Sequence, residues 1–168
     1  MNIGFFIILI LTIALILGPI SMLRPSPQQK RKEQLRLYAS KQGVRFGMRC
    51  LPALKTDTDK INPSPVYYLP PPDMRDVPEW ILMRTHYIHE GNFYQEWDWQ
   101  GDVRPNDATY DLLKTFVPQL PKSVQAISYG MLGMCVFWRE QEEQETLDLL
   151  IDMLKQLYQS ENPSVPST

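Results

Sequence analysis

Residues 79–99 read EWILMRTHYIHEGNFYQEWDW, and this stretch decides the predicted fold. Its two arms, Trp80–Ile88 and Phe93–Trp99, are rich in aromatic and β-branched residues, and residues 89–92 supply the turn between them. Side chains alternate between the two faces of a strand. In the second arm the predicted core face holds Phe93, Gln95, Trp97 and Trp99, and the predicted wet face holds Tyr94, Glu96, Asp98 and Gln100. The stretch therefore predicts an antiparallel hairpin that buries one face.

Further strands and helices are predicted on both sides of this hairpin. The predicted strands are Gly43–Leu51, Val66–Leu69, Val124–Tyr129 and Met134–Glu140, and a short helix is predicted at Asp107–Val117. A second helix is predicted at Glu142–Gln159, where the residues at helix-face spacing are Leu147, Leu150, Ile151, Leu154 and either Leu157 or Tyr158. We therefore predict an α+β fold, in which a small antiparallel-sheet domain, residues 44–159, is covered by a C-terminal helix. Residues 160–168 are predicted to be a disordered tail.

The first 23 residues contain no charged side chain. An apolar run of this length matches one helix that crosses the roughly 30 Å hydrocarbon core of a bilayer. A cleaved signal peptide would begin with basic residues and have a shorter apolar region, whereas only Met1 and Asn2 precede the run here. Residues 1–23 are therefore predicted to be a transmembrane anchor.

Residues 24–43 are predicted to form a basic juxtamembrane helix. Ser26 suits the N-cap, Pro27 the first helical position, Gln29 the capping box and Gly43 the stop. The bases predicted to contact the membrane surface are Arg24, Lys30, Arg31, Lys32 and Arg36. Because Lys and Arg beside a spanning helix stay in the cytoplasm, we predict an N-terminus outside and a cytoplasmic domain.

Charge is divided unequally along the chain. Residues 24–49 contain eight basic residues and one acidic residue, a net charge of +7, and the whole chain carries −2, so the remaining residues carry −9. Nucleic-acid binding requires a basic face, so the acidic body argues against a nucleic-acid partner. The basic segment instead favours a bilayer with anionic headgroups as its partner.

The residues from Leu23 to Glu33, LRPSPQQKRKE, resemble the juxtamembrane segment of YajC, the small accessory subunit of the bacterial preprotein translocase. Members of that family begin with one apolar helix and continue through an Arg-Pro-Gln-Gln-Lys-Arg type stretch, into which Ser26-Pro27 is inserted here. The likeness covers roughly the first 35 residues. The whole chain resembles single-span proteins of proteobacteria with an anchor, a basic helix and a Trp-rich α+β body. The resemblance implies an inner-membrane location and no particular activity.

The prolines predict the structure of one segment, and the cysteines are predicted to form no disulfide. Residues 52–78 contain seven prolines, which predicts a stiff surface excursion around the Val66–Leu69 strand, with a polyproline ligand for a partner as the alternative. Cys50 and Cys135 are far apart in sequence. Because the cytoplasm keeps thiols reduced, both cysteines are predicted to be free.

Two histidines, His86 and His89, lie beside Glu90 and invite a metal interpretation. Residues three apart on a strand point to opposite faces, so the two imidazoles diverge unless the turn bends back. A site would need a third ligand from elsewhere, with Cys135 or Asp98 as the candidates. We therefore predict no metal and no cofactor.

Two acidic residues, Glu96 and Asp98, share the wet face of the second hairpin arm. A carboxylate pair among aromatic residues is typical of carbohydrate-active sites, but acids two apart are also usual on a solvated strand face. Cys135 lies in an apolar strand, where cysteine behaves as a small hydrophobic residue. We therefore predict no catalytic residue.

These observations favour a non-enzymatic, membrane-anchored accessory or assembly subunit of a bacterial inner-membrane complex, with an integral membrane protein as its partner. A membrane-tethered sensor or ligand-binding module that uses the Trp-rich sheet is the alternative. An enzyme that uses Glu96, Asp98 or His86 is a third possibility. The predicted interaction surface consists of Trp97, Trp99, Glu96, Asp98 and His86.

Overall fold

A computed structural model describes residues 3–22, 26–52, 63–71, 77–85 and 87–163, with the side chains of 16–22 outside the description. The chain divides into two compact units, Met1–Gln34 and Leu35–Thr168. Among the described residues the fold is α+β, with four helices and one sheet of six antiparallel strands. The predicted fold class is confirmed at this level.

The first unit contains helix α1, Ile3–Met22, and the start of helix α2, Pro27–Lys41. Every residue from Ile3 to Leu15 is exposed. None of the helices in the described part of the chain combines the length and the hydropathy that crossing a membrane requires. The predicted capping box of α2 is present, since the Ser26 N–H donates to Gln29 Oε1 at 2.8 Å and the Gln29 N–H donates to Ser26 Oγ at 3.2 Å.

The sheet forms the centre of the second unit. Its strands are β1 Arg45–Cys50, β2 Pro63–Leu69, β3 Trp80–Arg84, β4 Trp97–Gln100, β5 Val124–Gly130 and β6 Gly133–Trp138. They lie side by side in the order β1-β2-β6-β5-β3-β4, with every pair antiparallel. Strand β2 is therefore the part of the proline-rich segment that enters the sheet. Of the surface excursion predicted for residues 52–78, residues 53–62 and 72–76 lie outside the described residues.

The tightest turn of the sheet joins β5 to β6. Gly130 pairs with Gly133, so that only Met131 and Leu132 form the loop. Gly133 has φ +87°, and a Cβ atom there would lie 2.0 Å from the Leu69 carbonyl oxygen. A side chain at this position would therefore displace β2 from β6.

Helices α3, Asp107–Phe116, and α4, Gln144–Glu161, contribute to the main core on one face of the sheet. A short 3-10 turn at Val117–Gln119 follows α3. The predicted inward side of α4 is confirmed, because its buried residues are Leu147, Leu150, Ile151, Met153, Leu154 and Leu157. The C-terminal helix thus covers the sheet as predicted. It includes Ser160 and Glu161, which had been placed in the tail, while 164–168 lie outside the described residues.

The second face of the sheet is curved. Arg49 lies on β1 and Glu79 immediately precedes β3, with β2, β6 and β5 between them. Four strand spacings correspond to about 19 Å, yet Arg49 Nη1 lies 3.7 Å from Glu79 Oε1. Since two side chains of this length do not span a flat sheet, this face is concave. The smaller core cluster on this face consists of Val66, Met83, Ala126, Cys135 and Phe137.

The central hairpin exists, but its strands are shorter than predicted. Strand β3 ends at Arg84, and the last backbone contact between the two arms is the Thr85 N–H, which donates to the Glu96 carbonyl oxygen at 2.6 Å. Gln95 has φ +47°, which interrupts the alternation of faces before β4 begins at Trp97. The predicted second arm, Phe93–Trp99, was wrong in its first half for this reason.

The end of α2 belongs to the compact domain. Leu35 is 5% exposed and Ala39 is fully buried, and both are part of the main core. The Val44 N–H also donates to the Ala39 carbonyl oxygen at 3.0 Å. The compact domain therefore starts at Leu35, earlier than the predicted boundary at residue 44.

Candidate functional site

The predicted interaction surface divides into buried and partly exposed residues. Trp97 is 2% exposed and belongs to the main core, whereas Trp99 is half-buried at its margin. Glu96 and Asp98 are both half-buried, and His86 lies outside the described residues. Trp97 is therefore a packing residue, and Trp99 is the tryptophan of this pair that reaches the surface.

Glu96 is the counter-ion of a structural arginine, Arg84. Arg84 pairs with Glu96 through Nη1, and its guanidinium lies 4.7 Å from the centre of the Trp97 ring. The remaining N–H groups of Arg84 donate to carbonyl oxygens at 3.0 to 3.2 Å, those of Val124, Leu120 and Pro121. These contacts join the loop before β4 to the start of β5. We call Arg84, Glu96 and Trp97 the Arg84 cluster.

Asp98 has different partners from Glu96. One of its oxygens accepts the Trp99 N–H at 2.8 Å, and the other lies 3.9 Å from His89 Nε2. His89 Nδ1 accepts the Gly91 N–H at 3.1 Å, which leaves the ring proton of a neutral imidazole on Nε2, facing Asp98. Tyr87 stacks on the His89 ring at 5.4 Å. The contacts of Glu96 and Asp98 therefore fix loop geometry.

Metal binding and thiol chemistry both require particular side chains in particular surroundings. Within the described residues, no three His, Cys, Asp or Glu side chains are grouped so as to hold a metal ion. Cys135 is 1% exposed, and burial raises the pKa of its thiol to about 11. A thiol with that pKa is protonated at neutral pH, which disfavours nucleophilic attack.

Three half-buried rings form an aromatic cluster beside β4, consisting of Phe93, Trp99 and Tyr110. Trp99 and Tyr110 are nearly parallel, with centroids 6.3 Å apart, and Phe93 meets both edge-on at 5.3 and 5.0 Å. Arg104 lies 5.2 Å from the Trp99 ring centre and Lys114 lies 4.6 Å from that of Tyr110. Aromatic rings with cations at their rim are typical of binding surfaces.

A second arginine cluster lies near the opposite edge of the sheet, and its aromatic residues belong to the same main core as Trp97. Arg36 donates from Nε to Glu140 Oε1 and from Nη2 to Glu140 Oε2, both at 2.7 Å. The Tyr67 hydroxyl also donates to Glu140 Oε1, at 2.8 Å. The Arg36 guanidinium carbon lies 3.9 Å from the centre of the Phe46 ring. We call these four residues, Arg36, Phe46, Tyr67 and Glu140, the Arg36 cluster.

The Glu140 side chain is completely buried, although it accepts two hydrogen bonds from the Arg36 guanidinium. Its backbone is also unusual, with φ +57°, a conformation that costs a residue other than glycine about 1–2 kcal/mol. Hydrogen bonding to Glu140 raises the pKa of Arg36. Burial, followed by the hydrogen bond to Glu140, raises the pKa of Tyr67. The cluster therefore holds a charged pair and a neutral tyrosine.

This cluster is absent from the sequence predictions. Arg36 was grouped with the membrane-surface bases, but its guanidinium is bound to Glu140 within the domain. Arg36 and Glu140 are 104 residues apart, and neither lies in a local motif. The one available signal is the charged residue Glu140, two residues after the apolar strand β6. Of the other predicted membrane-surface bases, Arg24 lies outside the described residues, and Lys30, Arg31 and Lys32 lie on α2 in the first unit.

Comparisons of the chain with protein-family models, with curated proteins and with solved structures find no match.

Proposed function

We propose that this chain is a non-enzymatic, single-span protein of a bacterial inner membrane. Its α+β domain would be an accessory or assembly subunit of a larger membrane complex, on the cytoplasmic side. The observation that carries the proposal is helix α1, whose apolar residues are exposed on every side from Ile3 to Leu15. The proposed partners are anionic lipid headgroups and an integral membrane protein.

The surface of α1 requires an apolar environment outside the chain. Ile3 is 78% exposed, Leu11 is 68% exposed and Leu15 is 75% exposed. A helix that is apolar all round is found inside a large protein or inside a membrane. Its single hydroxyl between Ile3 and Leu15, that of Thr12, donates to the Ile8 carbonyl oxygen at 2.8 Å and so needs no water. In the sequence the uncharged stretch continues to Leu23, and basic residues follow it.

The contacts in the domain favour binding over chemistry. The acid in the Arg84 cluster is paired with an arginine, and Asp98 accepts a backbone N–H. The aromatic cluster, in contrast, stays half-exposed and carries Arg104 and Lys114 at its rim. This cluster is the surface that we assign to the partner subunit. The nearly parallel rings of Trp99 and Tyr110 also favour a second candidate, a membrane-tethered module that binds a planar ligand.

Membrane insertion is tested by washing isolated membranes with alkaline carbonate, which releases peripheral proteins. We expect the full-length chain to stay in the pellet. The Ile8→Arg/Leu11→Arg variant is expected in the supernatant, because each central arginine opposes insertion by about 3 kcal/mol. Ile8→Leu/Leu11→Ile is the matched control. Release of the wild-type chain would contradict the anchor.

The two remaining parts of the proposal have separate tests. A reporter that is active only in the periplasm, fused after Thr168, should be silent, and activity there would overturn the orientation.

Affinity purification from gently solubilised membranes should recover a stoichiometric subunit. The Trp99→Ala/Tyr110→Ala variant should lose this subunit, while the exposed-residue control Met131→Ala should keep it. A monodisperse monomer without a partner would contradict the accessory role.

A further inference from the structure

The residues around the Arg36 guanidinium come from three parts of the sheet. Phe46 lies on β1, Tyr67 lies on β2 and Glu140 follows β6, whereas Arg36 lies on α2. Together, Phe46, Tyr67 and Glu140 supply a ring face, a hydroxyl and a two-oxygen fork. We call these three residues the arginine site. The arginine site is therefore built by the sheet strands and the residues that follow β6, and the arginine itself comes from α2.

Contacts that do not involve Arg36 already orient the arginine site. The Tyr67 hydroxyl holds Glu140 Oε1 at 2.8 Å, and the Tyr67 and Phe46 rings meet at 5.5 Å with an angle of 69°. The Tyr67 ring also packs against Trp138 at 5.7 Å. The left-handed backbone of Glu140 is a further fixed feature. Strained backbone of this kind is concentrated at functional sites.

The exposure of the two charged side chains differs sharply. The Arg36 side chain is 33% exposed, whereas that of Glu140 is 0% exposed. The partly exposed guanidinium therefore covers part of a carboxylate that has no contact with water of its own. Two parallel N–H···O bonds with a ring beneath the plane select a planar guanidinium over a compact ammonium group.

We propose that Glu140, Tyr67 and Phe46 form a preassembled recognition site for an arginine side chain, and that Arg36 is its resident ligand. The site binds an alkylguanidinium as a planar cation, with both carboxylate oxygens occupied and the ring of Phe46 beneath it. The end of α2, from Leu35 to Lys41, is then held on the domain by recognition of one side chain in addition to its buried Leu35 and Ala39. This inference is independent of the proposed membrane function.

Chemical rescue tests the proposal in the full-length chain, purified in mild detergent. Arg36→Ala removes the resident guanidinium, and methylguanidinium at millimolar concentration then replaces the missing group. We expect methylguanidinium at ten times its Kd to lower the unfolding equilibrium constant of Arg36→Ala about tenfold. Methylammonium, a compact cation, and N-methylurea, a neutral planar isostere, should change it less than twofold. The wild-type chain, whose site is filled, should respond to none of the three.

The Arg36→Ala/Glu140→Gln variant identifies the receptor of the added cation. Its response to methylguanidinium should disappear, since the carboxylate is gone. Equal effects of methylguanidinium and methylammonium, or an equal response of this double variant, would overturn the proposal. If Arg36→Ala does not fold, the same comparison is made on Arg36→Gln by refolding yield, where methylguanidinium should raise the yield of folded protein and an unchanged yield would overturn the proposal.

Discussion

The two arginine clusters have the same kinds of residue, but the arginines differ in how many of their hydrogen bonds go to one carboxylate. Both place an arginine over an aromatic ring and pair it with a glutamate. Arg84 also donates to three backbone carbonyl oxygens, and its partner Glu96 is only 12 residues away. Arg36 donates twice to Glu140, which is 104 residues away and completely buried.

This difference predicts which single substitution removes more of the hydrogen bonds that a charged side chain makes. Loss of Glu96 leaves Arg84 with its carbonyl partners, so most of its hydrogen bonds remain. Loss of Arg36 removes two charge-assisted hydrogen bonds from a completely buried carboxylate, which is the costly case. The Arg36 cluster is therefore expected to be sensitive to single substitutions and the Arg84 cluster to be tolerant of changes at Glu96.

The largest effect is expected for Arg36→Met. The substitution keeps much of the side-chain volume but removes the cation from Glu140, so we expect a loss of about 3 kcal/mol in the free energy of unfolding. Urea unfolding followed by tryptophan fluorescence measures it. Arg45→Met, at an exposed position on β1, is the matched control and should change stability by less than about 0.5 kcal/mol. Equal losses in the two variants would remove the distinction.

A smaller effect is expected for Tyr67→Phe, which removes one hydrogen bond to a charged acceptor. We expect a loss of about 1.5 kcal/mol at pH 7, measured by the same unfolding experiment. Tyr68→Phe, whose ring lies on the concave face, is the control and should lose less. Similar losses at the two tyrosines would show that the Glu140 contact contributes little.

Tyr67 also predicts a pH dependence of stability. Its pKa is raised in the folded chain, so above the ordinary tyrosine pKa of about 10 the unfolded chain loses a proton that the folded chain keeps. Stability is therefore full below that pH and falls above it, by up to about 1.4 kcal/mol per pH unit from this group. The slope between pH 10 and 11 should be shallower for Tyr67→Phe than for the wild type. Identical slopes would contradict the protonated, buried hydroxyl.

The smallest effect is expected for Glu96→Gln. Arg84 keeps its carbonyl acceptors and its position over Trp97, so the loss should be about 0.5–1 kcal/mol. Thermal unfolding of Glu96→Gln beside Glu140→Gln provides the comparison, because both substitutions are isosteric. A larger loss at Glu96 than at Glu140 would reverse the ranking of the two clusters.

Local patterns in the sequence were sufficient for most elements of the fold. Helix α3, the β5–β6 hairpin and the buried side of α4 follow from periodicity and turn residues within short windows. The second hairpin arm was misplaced because the left-handed backbone at Gln95 has no signature in a sequence that alternates well. Propensity favours a continuous strand, whereas the backbone turns at Gln95 and the arms meet again only from Glu96 onward.

The residues of the candidate site are harder to predict from the sequence than the elements of the fold. Trp99 was identified because aromatic residues are conspicuous in a short strand, but the neighbouring Tyr110 comes from α3 and joins it only in three dimensions. Arg36 resembles the other bases of α2 in every local property. Its pairing with Glu140 depends on the sheet order, in which β2 lies between β1 and β6. That order is a long-range property of the chain.

Two double-mutant cycles, run side by side, test the contrast between the clusters most directly. One combines Arg36→Met with Glu140→Gln, and the other combines Arg84→Met with Glu96→Gln, with the free energy of unfolding measured for each single and double variant. We predict a coupling of about 2–3 kcal/mol for Arg36 and Glu140, and below about 1 kcal/mol for Arg84 and Glu96. Equal couplings, or a larger one for Arg84 and Glu96, would contradict the buried, single-carboxylate dependence of the Arg36 cluster.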